Sequence, residues 1–184
     1  MLLSRSAPKI ERHKTVVPIH KDDVEFSDFD RAIVIAIDES SNSDIVVDWA
    51  ADRVLRRRKD LVVLVNVQPE PFGRTAGSST LPPESLSQID DEAKERCRKI
   101  LSPHAEKLQR DGFVVKGICL IGNPKEVLVA SSNVKKPAMI IMGTHGRGSV
   151  KRFLMGSVAE YVLHHSAIPV LIVPNGSGKT SESE

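Results

Sequence analysis

The sequence predicts an α/β domain built on a doubly wound parallel sheet, and three observations predict it. Apolar runs without polar alternation recur at Arg31–Asp38, Leu61–Val67, Val114–Ile121, Ala138–Met142 and Val170–Val173, the pattern of parallel strands covered on both faces. Between successive runs, apolar residues fall at helical spacing. Strand and helix therefore alternate four times before a closing strand, an order that calls for right-handed crossovers and helices on both faces. The expected sheet is five-stranded, in the order 3-2-1-4-5.

The chain has 184 residues and a formal net charge of +2, enough for one domain with a sizeable core. A charge so near balance gives no reason to expect nucleic acid or a membrane surface as partner. Scarce aromatics argue against base-stacking platforms as well. No apolar run approaches the ~18 residues of a spanning helix, and no signal-peptide core follows Met1. A cytoplasmic protein is expected, with organelle targeting by the N-terminal stretch left open.

Residues 1–28 mix basic, acidic and isolated apolar residues around Pro8 and Pro18, which predicts a mobile arm. A single domain is expected over 29–174, followed by a disordered polar tail over 175–184. Within that tail, Gly176-Ser177-Gly178-Lys179-Thr180 resembles a phosphate-binding P-loop. The first glycine of that pattern would fall on Val173, and no helix can follow before Glu184.

The first strand ends on the carboxylate of Asp38. Capping residues Ser40 to Asp44 then precede Val47, Ala50, Ala51, Val54 and Leu55 at helical spacing, and Arg56 to Lys59 close that helix with favourable charge. After the second strand comes a loop from Gln68 to Pro83. A helix follows through Ile89, Ala93, Cys97, Ile100, Leu101 and Leu108, with a kink expected at Pro103 and a stop at Gly112. Asn123-Pro124 and Glu126 predict the start of the next helix, which ends near Val134. Cys97 and Cys119 show neither CxxC nor metal spacing and are expected as small buried thiols in a reducing compartment.

The stretch with chemical content is Gly143-Thr144-His145-Gly146, then nine residues, then Gly156-Ser157. It joins the fourth strand to the last helix. Glycines at such a junction permit close approach of backbone to a ligand, and a helix N-terminus favours an anion. A plainer alternative is turn chemistry, since Ser157 and Glu160 have capping-box spacing. Topology favours the first. Ligands of doubly wound sheets sit beyond the carboxyl ends of strands where the strand order reverses, which would set Asp38 opposite the Gly143 loop.

On these residues, together with Ile37-Asp38-Glu39-Ser40 and the ending from Ser157 to Pro174, the region Arg31–Pro174 resembles the universal stress protein family. The resemblance implies a Rossmann-like fold and binding of ATP, or of AMP or ADP. It implies that Asp38, next to Ile37, contacts ribose hydroxyls or phosphate-bound Mg2+, so that any metal contact is indirect. Val62 would offer backbone hydrogen bonds to adenine, Ala36 and Met142 would wall the base, and Gly143 would let the ribose approach. Gly146, Arg147, Gly148, Gly156, Ser157 and Val158 would surround the phosphates. Many nucleotide-binding relatives carry proline near Ala36; alanine keeps the pocket open.

The resemblance also implies a homodimer through the edge strand Val170–Val173, and a stress-response regulatory protein that acts by nucleotide-dependent binding. Alternatives are a slow ATP hydrolase or phosphotransferase, or a dimeric scaffold with a vestigial pocket. His145 has neither nucleophile, carboxylate partner nor metal-ligand spacing beside it, so no catalytic residue is expected, and at most weak ATPase activity.

Overall fold

The computed structural model describes residues 14–17, 26–70, 74–75, 78–79, 83–134, 137–144 and 155–175. Its main strands are β1 (Lys14–Val17), β2 (Arg31–Ala36), β3 (Asp60–Gln68), β6 (Val114–Ile121), β7 (Met139–Gly143) and β8 (Val170–Val173). The short strands β4 (Arg74–Thr75) and β5 (Ser78–Ser79) pair only with each other. The helices are α1 (Asn42–Arg53), α2 (Pro83–Arg110), α3 (Pro124–Val134) and α4 (Ser157–His165).

The large sheet has the order β1-β6-β3-β2-β7-β8. Its five strands from β6 to β8 are parallel and reproduce the expected 3-2-1-4-5 order. Strand alternation sends side chains to two separate cores. Ile33, Ile35, Val62 and Leu64 pack with Val46, Val47 and Ala50 of α1 and with Leu101, Ala105 and Leu108 of α2. Val34, Leu61, Val63, Val65 and Ile140 pack with Leu128 of α3 and with Ala159 and Val162 of α4. Both sheet faces are covered, as unbroken apolar strands require.

Two expectations are corrected. Lys14–Val17 is no part of a mobile arm but an antiparallel strand on β6, with Lys14 opposite Leu120 and Val17 opposite Gly117. Lys-Thr-Val-Val is too short to stand out in the sequence, but it satisfies the backbone of an otherwise open sheet edge. Cys97 and Cys119 are buried as expected, yet they form a disulfide between α2 and β6, with their Cα atoms 5.8 Å apart. Twenty-two residues of sequence separate them. Only the packing of the helix on the strand brings them together.

The far end of the sheet is closed by a charged cluster. Asp60 is fully buried; Arg31 donates to both its oxygens at 2.7 and 2.8 Å, and the backbone N–H of Arg56 donates to Oδ2 at 2.8 Å. The hydrogen bond to Asp60 raises the Arg31 pKa further, against the opposing effect of burial. Asn123 caps α3 as predicted, accepting the Lys125 N–H at 3.1 Å.

Candidate functional site

β2 and β7 lie side by side, with Ile35 opposite Ile141. From β2 the chain crosses to β3 on one side, and from β7 to β8 on the other. The crossovers diverge, so the carboxyl ends of β2 and β7 open into a crevice. A cavity of about 490 Å³ occupies it, within the size range of small-molecule sites. Ala36 lines it from the end of β2, Ile37 and Asp38 from just beyond that end, Met142 and Gly143 from β7, and Gly156, Ser157 and Val158 from the start of α4.

Asp38 is held by the residues that follow it. Its Oδ1 accepts the Ser40 N–H at 3.0 Å, the Ser40 hydroxyl at 2.5 Å and a contact from the Ser43 hydroxyl at 3.0 Å, while its own N–H donates to Ser43 Oγ at 3.0 Å. Every one of these side-chain bonds falls on Oδ1. The carboxylate is thus anchored through one oxygen, and the serines predicted as helix caps organise it instead: α1 starts after Ser41 without a side-chain cap.

Gly143 is a glycine because of Asn42. A Cβ at position 143 would fall 1.9 Å from Asn42 Nδ2 and 3.3 Å from Val46 Cγ2. A side chain of the protein thus makes one close approach to this glycine, and Gly143 also lines the cavity. Asn42 is buried and lines the cavity; sequence reasoning saw it only as one of several capping residues.

The glycine loop is pinned at both ends. Thr144 N–H donates to Val173 O at 3.1 Å, and Gly156 N–H donates to Thr144 O at 2.7 Å. Gly156 therefore spends its amide on closing the loop. It also occupies the α4 cap position, in extended conformation and without a side-chain cap, while Glu160 N–H donates to its carbonyl at 3.0 Å. Ser157 is then the first helical residue, so the capping-box alternative fails. Helix geometry leaves the N–H groups of Ser157, Val158 and Ala159 without intrahelical acceptors, and all three residues line the cavity.

Val62 does not reach the site. It is fully buried near the start of β3, paired with Ile33, whereas Val65, Asn66 and Val67 at the strand's other end line the cavity. The correction follows from strand direction, because only the carboxyl end of a parallel strand meets the crevice. Asn66, a lone polar residue in an apolar run, was the available signal. It is buried, donates to Ile37 O at 2.8 Å and accepts from Gln68 Nε2 at 2.7 Å. Gly146, Arg147 and Gly148, like His145, Lys151 and Arg152, lie outside the described residues.

The profile of the universal stress protein family matches residues 31–174. The chain belongs to the universal stress protein family. Among its relatives is universal stress protein MJ0577 of Methanocaldococcus jannaschii, 37% identical over 90 residues, a match that covers 49% of this chain and 53% of that one. The chain thus spans about half the length of that relative. In a solved structure of MJ0577 the likeness extends over 78% of this chain and 94% of that one, with a TM-score of 0.61 and 28% identity. A universal stress protein family protein from Arabidopsis thaliana, solved with AMP bound, shares the fold at a TM-score of 0.56 and 16% identity over 83% of this chain and 97% of that one.

Proposed function

We propose that this universal stress protein binds an adenine nucleotide, with ATP as the leading ligand, and acts through that binding as a regulatory protein of the stress response. One juxtaposition carries the proposal: a carboxylate fixed through a single oxygen just beyond the end of β2, across a crevice from the first-turn amides of α4. A ribose offers hydroxyls to the former, and phosphates are anions suited to the latter. Ala36 and Met142 supply apolar wall, and the backbone of Val67 takes over the adenine-edge role assigned to Val62. Gly146, Arg147 and Gly148 remain proposed phosphate neighbours on the family resemblance. The Arabidopsis relative holds AMP in the same fold.

Magnesium fits only as a companion of the phosphates. Among the described residues no group of three or more His, Cys, Asp or Glu is placed to hold a metal, and Asp38 is the one titratable side chain among those lining the cavity. Bound with the nucleotide, the ion would neutralise phosphate charge, with Asp38 as its protein-side carboxylate. Positioning an attacking water needs a further group, so binding without appreciable turnover is the proposed activity.

Two further parts belong to the proposal. No helix among the described residues is long and apolar enough to cross a membrane, and a cytoplasmic site is proposed. Homodimerisation is proposed through β8, which ends the sheet on the side that β1 does not cover and whose Val170, Leu171 and Ile172 are only partly buried.

Mass spectrometry of small molecules released from the purified protein, with calorimetry against ATP and AMP, tests the binding. A retained adenine nucleotide, or saturable binding that Ser157→Glu abolishes, is expected. Neither retention nor heat of binding would remove the proposal. Light scattering after size exclusion tests the dimer.

A further inference from the structure

The disulfide and the cavity share one side chain. Asn66 stands directly across the β3–β6 ladder from Cys119, and Cys97 reaches down from α2, placing its Sγ 3.1 Å from Asn66 Oδ1. From the other end of the same amide, Nδ2 donates to Ile37 O at 2.8 Å. That carbonyl belongs to the peptide whose N–H is the Asp38 N–H bonded to Ser43 Oγ. One buried amide therefore touches the sulfur pair at its oxygen and the strand end that carries Asp38 at its nitrogen.

We infer that Cys97 and Cys119 form a reversible dithiol–disulfide couple whose state is transmitted through Asn66 to the cavity. The chemistry at Asn66 Oδ1 differs between the two states. As a thiol, Cys97 can donate its S–H to that oxygen, alongside the Gln68 Nε2 bond at 2.7 Å. As a disulfide, the sulfur has no proton, and two electron-rich atoms face each other at the same distance. The dithiol state holds the Asn66 amide, and with it the Ile37–Asp38 peptide, more firmly.

Interconversion is a thiol–disulfide exchange with a low-molecular-weight disulfide as oxidant. One cysteine thiolate attacks that disulfide, forming a mixed disulfide and expelling one small thiolate. The second cysteine then attacks the mixed disulfide and expels the other. Two protein thiols and one small disulfide become one protein disulfide and two small thiols, with two electrons passed to the oxidant; small thiols drive the reverse. Both cysteines are buried, at 0% and 1% exposure, so exchange requires α2 to part locally from β6 and is slow. A thiol-buffered cell holds the dithiol at rest, and oxidative stress writes the disulfide.

The test equilibrates the full chain in reduced and oxidised glutathione, quantifies thiols by alkylation and mass spectrometry, and measures both ATP affinity and amide exchange at Ile37 and Asp38. The inference rests on the nucleotide proposal for its affinity readout alone. Tighter ATP binding in the dithiol state is expected, by about two- to fivefold, the worth of one weak S–H···O contact, with slower exchange at both amides. Asn66→Ala should keep the couple and lose the response, and Cys97→Ala should bind alike in both buffers. A redox-dependent change in exchange without any ATP binding would uphold the relay and refute the nucleotide. Equal exchange and equal affinity in the two states, or a cysteine pair that never changes state across the buffers, would overturn the inference.

Discussion

The side-chain amide of Asn42 fills the space that any side chain at Gly143 would need, its Nδ2 lying 1.9 Å from the position of a Cβ there. The glycine is thus a packing partner of α1 as well as a turn residue. Gly143→Ala should cost about 1–3 kcal/mol of stability, the usual range for overpacking, and weaken nucleotide binding by displacing Asn42. Because the clash is with that one amide, Gly143→Ala with Asn42→Ala should recover most of the stability. Chemical denaturation of the three variants checks this; a double mutant as unstable as the sum of the singles contradicts it.

Ser157→Glu separates ligand binding from folding. A negative charge in the first turn of α4 should leave the helix unchanged or stabilise it by about 0.3–1 kcal/mol. The same charge stands where phosphates are proposed, so ATP affinity should fall by at least about tenfold. Thermal melts and calorimetry on one preparation give both numbers. Equal affinity for wild type and variant would move the phosphates away from this turn.

Asp38→Asn keeps an oxygen to accept from Ser40 and Ser43 but removes the charge. Stability should change by no more than about 1 kcal/mol, while affinity drops about tenfold, as loss of a charged hydrogen-bond acceptor predicts. Asp38→Ala should additionally destabilise the strand end. If the two variants melt alike, the serine bonds have no structural weight.

His104 on α2 gives a pH signature. Burial pushes its imidazole below the ordinary 6.5, and outweighs the opposing pull of Asp44 and Asp48, with Lys107 lowering it further. The unfolded chain then binds the proton more readily than the folded one, so stability should decline as pH falls through 6.5 and level off below the lowered folded value. His104→Gln should flatten that part of the profile. Unfolding free energies from about pH 7.5 to about pH 5.5 would show it, before most carboxylates titrate.

Removing residues 1–17 would strip β1 from β6. An uncovered parallel edge is a template for pairing with other chains, so the truncated protein should self-associate as concentration rises while its nucleotide affinity stays unchanged. Light scattering over a dilution series measures the first, calorimetry the second.

The sheet order was legible because five apolar runs alternated with helical spacing, and topology put Asp38 and the start of α4 at one crevice, where the cavity lies; Met142, named by the family resemblance, lines the same cavity. Val62 was assigned by position in the family pattern and sits at the buried start of β3, whereas Asn66, the one polar residue in Leu61–Val67, marks the end of the run that meets the cavity. Asn66 and Asn42 were visible as letters, but their contacts are made across 29 residues to Ile37 and across the α1–β7 packing, which no local pattern encodes. The same is true of the bond between Cys97 and Cys119. β1 carries too few residues for a period to register.

The hydrogen bond from Gly156 to Thr144 fastens the start of α4 to the end of β7, and that from Thr144 to Val173 ties the same point to β8. Because these anchors hold without help from the residues that separate them in sequence, insertions between positions 144 and 156 should tax the fold only through chain entropy, about 0.6 kcal/mol for each doubling. The first turn of α4 would keep its place beside β7 however long that connection became.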